Sequence, residues 1–288
     1  MNIQVFIQLL VNGLVTGGIY VLVSTGFALV YGTARVLNFA HGHFYMLGAF
    51  VYGGLISLGV PWTLSILLSG LAIALLGGIT WYLIFKPLYN DLFLTVAASI
   101  GIGLIMIYGI IVTVGERDII VPSIFPGLLN IEGVTVPFEK VAIVGFSLAV
   151  MLGLYYFSRT KTGKALEATT IDEDAASLQG INTDRMFLIA MLVGSGMAGV
   201  AGAVIAPLLT AQAHMGNPII IIFLSVVVVA GHGSIKGAVM IGLLFGLVKS
   251  FGYHYLGTFD FVLLLLVVAI IMYVRPWGIW GVEFKRTT

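Results

Sequence analysis

The chain has 288 residues, 60% of them hydrophobic and only 9% charged, with a formal net charge of +1 at pH 7 and a mean hydropathy of +1.12. That balance cannot be solvated as a globule and marks an integral membrane protein. Its few charges form no basic surface for nucleic acid, and the lack of cysteine excludes disulfides, thioether-linked haem, thiolate-ligated iron–sulfur clusters and cysteine zinc sites.

The first stretch, MNIQVFIQLLVNGLVTGGIYVLVSTG, lacks the positive start of a cleavable signal, and its apolar run is too long for one, so it is expected to stay as a span. A spanning helix needs about 20 predominantly apolar residues. Polar punctuation divides the chain into such segments at roughly 4–31, 37–58, 62–86, 92–114, 139–158, 186–207, 218–231, 235–256 and 259–274. The seventh is short for a crossing and reads as broken or re-entrant, which requires surrounding protein to satisfy its backbone ends. The expectation is an all-α polytopic membrane protein of eight or nine transmembrane helices, one short or broken, in a single transmembrane domain over residues 1–288.

The second segment opens with RVLNFAHGHFYMLG, residues 35–48. A helix starting near residue 37 puts Asn38, His41 and Tyr45 on one face and Phe39, His43 and Met46 on another. His41 and His43 then lie about 200° apart, too far round to chelate one metal, so no metal site is expected. Polar groups inside a membrane are costly and face protein or a wet cavity. Asn38 and His41 therefore either hydrogen-bond a neighbouring span or line a translocation route.

Residues 115–138 hold three of the eight prolines among alternating apolar residues and predict an external loop of short extended pieces or a hairpin. Residues 159–185 form the long hydrophilic segment of the chain. Within it, Thr170 or Asp172 caps a helix of about residues 172–179, Glu173 and Asp174 suit its positive end, and Gly180 stops it. That helix is expected to present Ala175, Ala176, Leu178 and Gln179 to a partner surface; a solvated linker is the plainer alternative.

Farther on, Gly194, Gly196 and Gly199 repeat at packing distance on one helix, and no GxSxG elbow surrounds Ser195. Gly231, His232 and Gly233 end the short seventh segment, where a broken helix exposes backbone dipoles. Lys249 is read as snorkelling to the interface. If nine segments alternate from an external N-terminus, Arg35, Lys86, Arg159, Lys161, Lys164, Arg185, Lys236, Arg275, Lys285 and Arg286 fall inside, against Arg117, Lys140 and Lys249 outside. This asymmetry predicts N-terminus outside and C-terminus inside, with 159–185 cytoplasmic.

The segment G163-K-A-L-E-A-T-T-I-D-E-D-A-A-S-L-Q-G-I-N182 resembles the coupling loop of permease subunits of branched-chain amino acid ABC importers, a family related to ribose-type permeases. The likeness rests on Gly163, Ala165, Ala168, Asp172, Ala175, Ala176, Leu178, Gly180 and Ile181, and departs at Glu167 and Ile171. It continues in L10-V-N-G-L-V-T-G-G-I-Y20, L37-N-F-A-H-G-H-F-Y-M-L-G-A49, G194-S-G-M-A-G-V-A-G202, G231-H-G-S-I-K-G-A238 and R275-P-W-G-I-W-G281.

The resemblance implies a permease that is not itself an enzyme, and no GxxxxGK[ST] loop is present. It implies a bacterial cytoplasmic (inner) membrane location and contact with lipid. The implied partners are a second homologous permease, two cytoplasmic ATPase subunits and an external substrate-binding protein. This chain is expected to bind no cofactor, with ATP and Mg used by the ATPases. Branched-chain or other hydrophobic amino acids are the implied cargo; urea, short amides or aromatic carboxylates are alternatives, and a stand-alone channel or secondary transporter is the rival class. Candidates for the route are Asn12, Asn38, His41, His43, Phe44, Tyr45, Gly231 and His232. Relatives commonly carry a carboxylate and an aliphatic residue where this chain has His43 and Phe44, a difference that bears either on cargo or on packing alone.

Overall fold

The computed structural model describes residues 2–122, 127–131, 134–231 and 233–281. Helix α1 (Ile3–Ala34) has 32 residues, about 48 Å at roughly 1.5 Å per residue, longer than a hydrocarbon layer of about 30 Å. It ends at Arg35, whose backbone enters the left-handed region at φ 52 and donates its N–H to Tyr31 at 2.9 Å. Residues 36–40 then run back along the bundle without helix. Helix α2 (His41–Ser57) starts beside Val23, three turns short of the end of α1, where the His41 ring nitrogen Nε2 lies 3.0 Å from the Val23 carbonyl.

Helix α3 (Trp62–Thr80) continues through a π-helical turn, Trp81–Phe85, into the short α4 (Lys86–Leu88), one apolar rod of 27 residues. Helix α5 (Leu92–Val114) is capped by Asp91, which accepts from the Phe93 and Leu94 N–H groups at 2.9 and 3.1 Å. Strands β1 (Leu128–Ile131) and β2 (Val134–Pro137) form an antiparallel hairpin, and Ile119 bridges to Ala211. Next come α6 (Phe138–Arg159), α7 (Lys161–Ile171), α8 (Glu173–Leu178), α9 (Thr183–Ile205) and α10 (Gly216–Ala230). Helices α11 (Ile235–Leu256) and α12 (Asp260–Val274) follow, joined by a tight turn at Gly257.

Six helical stretches among the described residues are long and apolar enough to cross a membrane, and α10, with 15 residues, is a shorter apolar helix. The protein is thus an all-α polytopic membrane protein. Expected segment starts agree within a few residues except at α2, which begins at residue 41 and not 37. Asn38 accordingly lies off the helix, and the expected face shared by Asn38, His41 and Tyr45 does not form. The cause is the turn at Arg35, after which the chain must retrace part of α1 before it can coil again.

Helix α9 is the hub of the bundle, packing on α1, α2 and α3. A Cβ on Gly26 of α1 would sit 2.6 Å from the Gly194 carbonyl oxygen of α9, and one on Gly202 would collide with the Tyr45 carbonyl of α2. Such contacts let backbones meet where lipid offers no hydrophobic drive for association. Ser195 donates its hydroxyl to Met191 at 2.5 Å, so it serves its own helix. At the far end of α10, Gly231 takes φ 96, and the N–H groups of Ile279 and Trp280 donate to Val229 and Ala230 at 2.8 and 3.0 Å. The RPWGIWG turn therefore satisfies carbonyls that α10 leaves open.

Gly202→Ala tests this packing, because it adds only the colliding carbon. It is expected to destabilise the detergent-solubilised protein by about 1–3 kcal/mol, whereas Gly101→Ala, with nothing within 4 Å of the new Cβ, is neutral or slightly stabilising. Equal thermal unfolding temperatures for the two variants would contradict the hub.

Candidate functional site

Two helices begin at one point inside the bundle. The start of α10 lies against the start of α2: a Cβ on Gly216 would be 2.6 Å from the Gly42 carbonyl oxygen and 2.9 Å from Nδ1 of His43. Neither helix has a side-chain cap at this end. The N–H groups of His41, His43 and Asn217 are taken by carbonyls of the preceding turns, but the backbone dipoles of both helices still give the junction positive character, and broken helix ends of this kind hold anionic groups in transporters.

His41 and His43 leave α2 in different directions. His41 is fully buried, bonded to Val23 through Nε2 and set edge-on against Phe27 and Phe223 at 5.7 and 5.3 Å. His43 faces α5, where its ring fills the space that a side chain at Gly103 would need, and its Nδ1 has no hydrogen-bond partner among the described residues. Asn38 is buried with both amide atoms unpartnered among the described residues. Its neighbour Phe39 donates its N–H to Ser99 of α5 at 3.1 Å, a partner that sequence reading did not single out. Phe44 is fully buried and packs edge-on against His41, and Tyr45 is buried where α2 crosses α9. The Phe44 substitution therefore sits on a packing face.

The other route candidates lie elsewhere. Gly231 caps α10 at the opposite end from the junction, and His232 is outside the described residues. Asn12 lies in the first half of α1, where its Oδ1 accepts from Lys140 Nζ of α6 at 2.6 Å. Asn12 lines a cavity of about 630 Å³ between α1 and α11. The structure thus gathers Asn38, His41, His43, Phe44 and Tyr45 and separates Asn12 and Gly231 from them.

The hydrophilic segment folds as α7 and α8. The Asp172 carboxylate accepts the Ala175 N–H at 2.9 Å, and Gly180 stops the helix at φ 83. Burial beside Asp174 raises the Glu173 carboxyl above its ordinary range, while Arg35 opposes the shift. The inner side of the segment is fastened: Leu166 packs with Leu29, Met186 and Ala190, and the hydroxyls of Thr33 and Thr170 lie 3.2 Å apart. Gly163 is buried where a side chain would strike the Phe157 carbonyl. Ala165 and Ala168 are half-buried, and Ala175 and Gly180 are exposed.

Ala176 corrects the expected docking face, because it is buried against the bundle while Leu178 points away from it. The outward side instead shows Leu178, 86% exposed, and Ile171, 76% exposed. Two large apolar side chains held out from a polar segment suit a protein surface. Ile171 had stood out in the sequence only as a departure from the family pattern; its exposure depends on where α7 ends, which its own residue type does not reveal.

Residues 9–274 match the family described as branched-chain amino acid transport system / permease component. The high-affinity branched-chain amino acid transport system permease protein LivH of Salmonella typhimurium is 30% identical over 302 residues, covering 96% of each chain. The corresponding BraD protein of Pseudomonas aeruginosa is 30% identical over 301 residues, again covering 96% of each. The probable LivH of Methanocaldococcus jannaschii is 28% identical over 297 residues, covering 97% of this chain and 94% of that one. No solved structure matches the chain significantly. A match of this extent, on a bundle of apolar helices with an outward-facing polar segment, shows that the chain belongs to the branched-chain amino acid transport system permease family.

Proposed function

We propose that the chain is the permease subunit of a bacterial ABC importer for branched-chain or other hydrophobic amino acids, resident in the cytoplasmic membrane. The observation that supports this most is the α7–α8 segment: anchored to α1 and α9 on one side, it offers Ile171 and Leu178 on the other. One of two cytoplasmic ATPases would seat on that surface and the other on the paired permease, and both would use ATP and Mg; this chain's sequence has no P-loop for them. A second homologous permease would complete the route, and an external binding protein would deliver cargo.

In this reading the N-terminus is outside, the C-terminus inside, residues 115–138 external and residues 159–185 cytoplasmic. Nine crossings result when residues 36–40 and 206–215 count as the extended halves of the crossings that α2 and α10 complete. The α2–α10 junction, with Asn38 and His43, is the inner candidate for contact with a cargo carboxylate. An ion-coupled transporter needs a free buried carboxylate as a coupling site. Among the described residues Asp260 is buried and held by Lys249 at 3.3 Å, and the carboxylate with an unpartnered buried oxygen, Glu139, lies in the first turn of α6 at the end of a span and not in its middle.

Replacing Leu178 with Asp tests the docking surface. In proteoliposomes holding the assembled importer, ATP-driven leucine uptake is expected to fall at least about tenfold, a loss of about 1.4 kcal/mol of coupling, while the purified chain unfolds at an unchanged temperature. Unimpaired uptake would exclude Leu178 from coupling. The two histidines are expected to separate. His41→Phe costs stability by about 1–2 kcal/mol through the lost bond to Val23 with little change in half-saturating leucine concentration; His43→Ala raises that concentration. The opposite pattern in an uptake titration would reverse the assignment.

A further inference from the structure

Helix α1 carries Gln4, Gln8, Asn12 and Thr16 at every fourth position, so the four share one face. The stripe runs about 18 Å along the helix axis, at the end of the bundle opposite α7 and α8. Ile3, Phe6 and Leu10 form the exposed apolar remainder of the same half-helix. The polar face borders the cavity of about 630 Å³, with Lys249 and Ser250 of α11 on its other wall. Amide and hydroxyl side chains at this density are costly against lipid and mark a surface that meets water or protein.

The lining has a definite chemistry. From α6, outside the lining, Lys140 donates to the side-chain Oδ1 of Asn12 and fixes that amide. Lys249 stands beside Asp260, so a cation and an anion are neighbours on the α11 side. Val5 and Leu9 add apolar wall between the amides. Amides, the Lys249 ammonium and aliphatic surface together suit the carboxylate and the hydrocarbon side chain of a small amino acid. The cavity is roomy enough for such a molecule and is open at its side, as a vestibule shared with another subunit would be.

We propose that this groove between α1 and α11 is one wall of the outer vestibule of the translocation route, with Asn12, oriented by Lys140, meeting the carboxylate of a zwitterionic amino acid. This rests on the importer reading above and places the first contact with cargo in residues distinct from the α2–α10 junction.

The absence of cysteine from the chain makes single thiol reporters direct. Gln8→Cys, Asn12→Cys and, on the apolar face, Leu10→Cys would each be assembled with the partner subunits in vesicles and treated with a charged, membrane-impermeant thiosulfonate. The Gln8→Cys and Asn12→Cys chains are expected to label and the Leu10→Cys chain not to. Leucine at about ten times the half-saturating concentration of the Gln8→Cys assembly should slow labelling of that thiol about tenfold, as simple occupancy requires, and should protect the Asn12→Cys thiol less, because that variant lacks the amide that meets the carboxylate. Gln8→Cys carries the test if Asn12→Cys fails to fold. Unlabelled thiols, or labelling that leucine leaves unchanged, in an assembly that still takes up leucine would overturn the vestibule alone. No ATP-driven leucine uptake by the unsubstituted assembly would overturn the importer reading and the vestibule with it.

Discussion

Backbone-to-backbone approach at glycine is the contact on which the rest of this bundle depends. Helix α9 meets α1 at Gly194 and Gly26, and meets α2 at Gly202 beneath the Tyr45 carbonyl. In lipid, apolar side chains gain nothing by leaving the solvent for each other, so helices are held by close packing and by hydrogen bonds that have no outside competitor. A hub without side chains on several faces permits α1, α2 and α3 to surround it at short range. That tight centre also sets the position of the junction where α2 and α10 begin.

Such a junction is possible only inside protein. Residues 36–40 and 206–215 expose backbone groups that hydrocarbon could not satisfy. The structure supplies partners locally: Ser99 accepts from Phe39, and Ile119 exchanges hydrogen bonds with Ala211. Two helix ends with positive character then face each other, with Asn38 and His43 beside them. The α7–α8 segment is tied to the same framework through Thr170 and Leu166, so a push on its outer surface bears on the end of α1 and on α9. In the importer proposed here, that connection is the physical means by which a partner's motion reaches the route.

Much of this was legible in the amino-acid sequence because hydrophobic segments in membranes have a nearly fixed length. The order of helices, the short α10 and the cap and stop of α8 at Asp172 and Gly180 all follow from local residue types. Other features depend on distant partners and are not local. The return of the chain after Arg35, which takes Asn38 off α2, depends on contacts with α1 and α5. The inward turn of Ala176 depends on where the bundle lies relative to α8. The stripe Gln4, Gln8, Asn12 and Thr16 was not singled out in the sequence apart from Asn12, because its four-residue period gains meaning only with α11 as the opposite wall.

The central proposal is that this chain moves cargo only as part of an ATP-driven assembly, and it rests on the exposed Ile171 and Leu178 of the α7–α8 segment and on a sequence without a GxxxxGK[ST] loop. The most direct measurement is leucine accumulation in proteoliposomes containing the chain, its paired permease, two ATPases and the binding protein. Accumulation against a gradient that requires ATP and every subunit is the predicted result. Uptake by the chain alone, or uptake that persists without ATP, would contradict it.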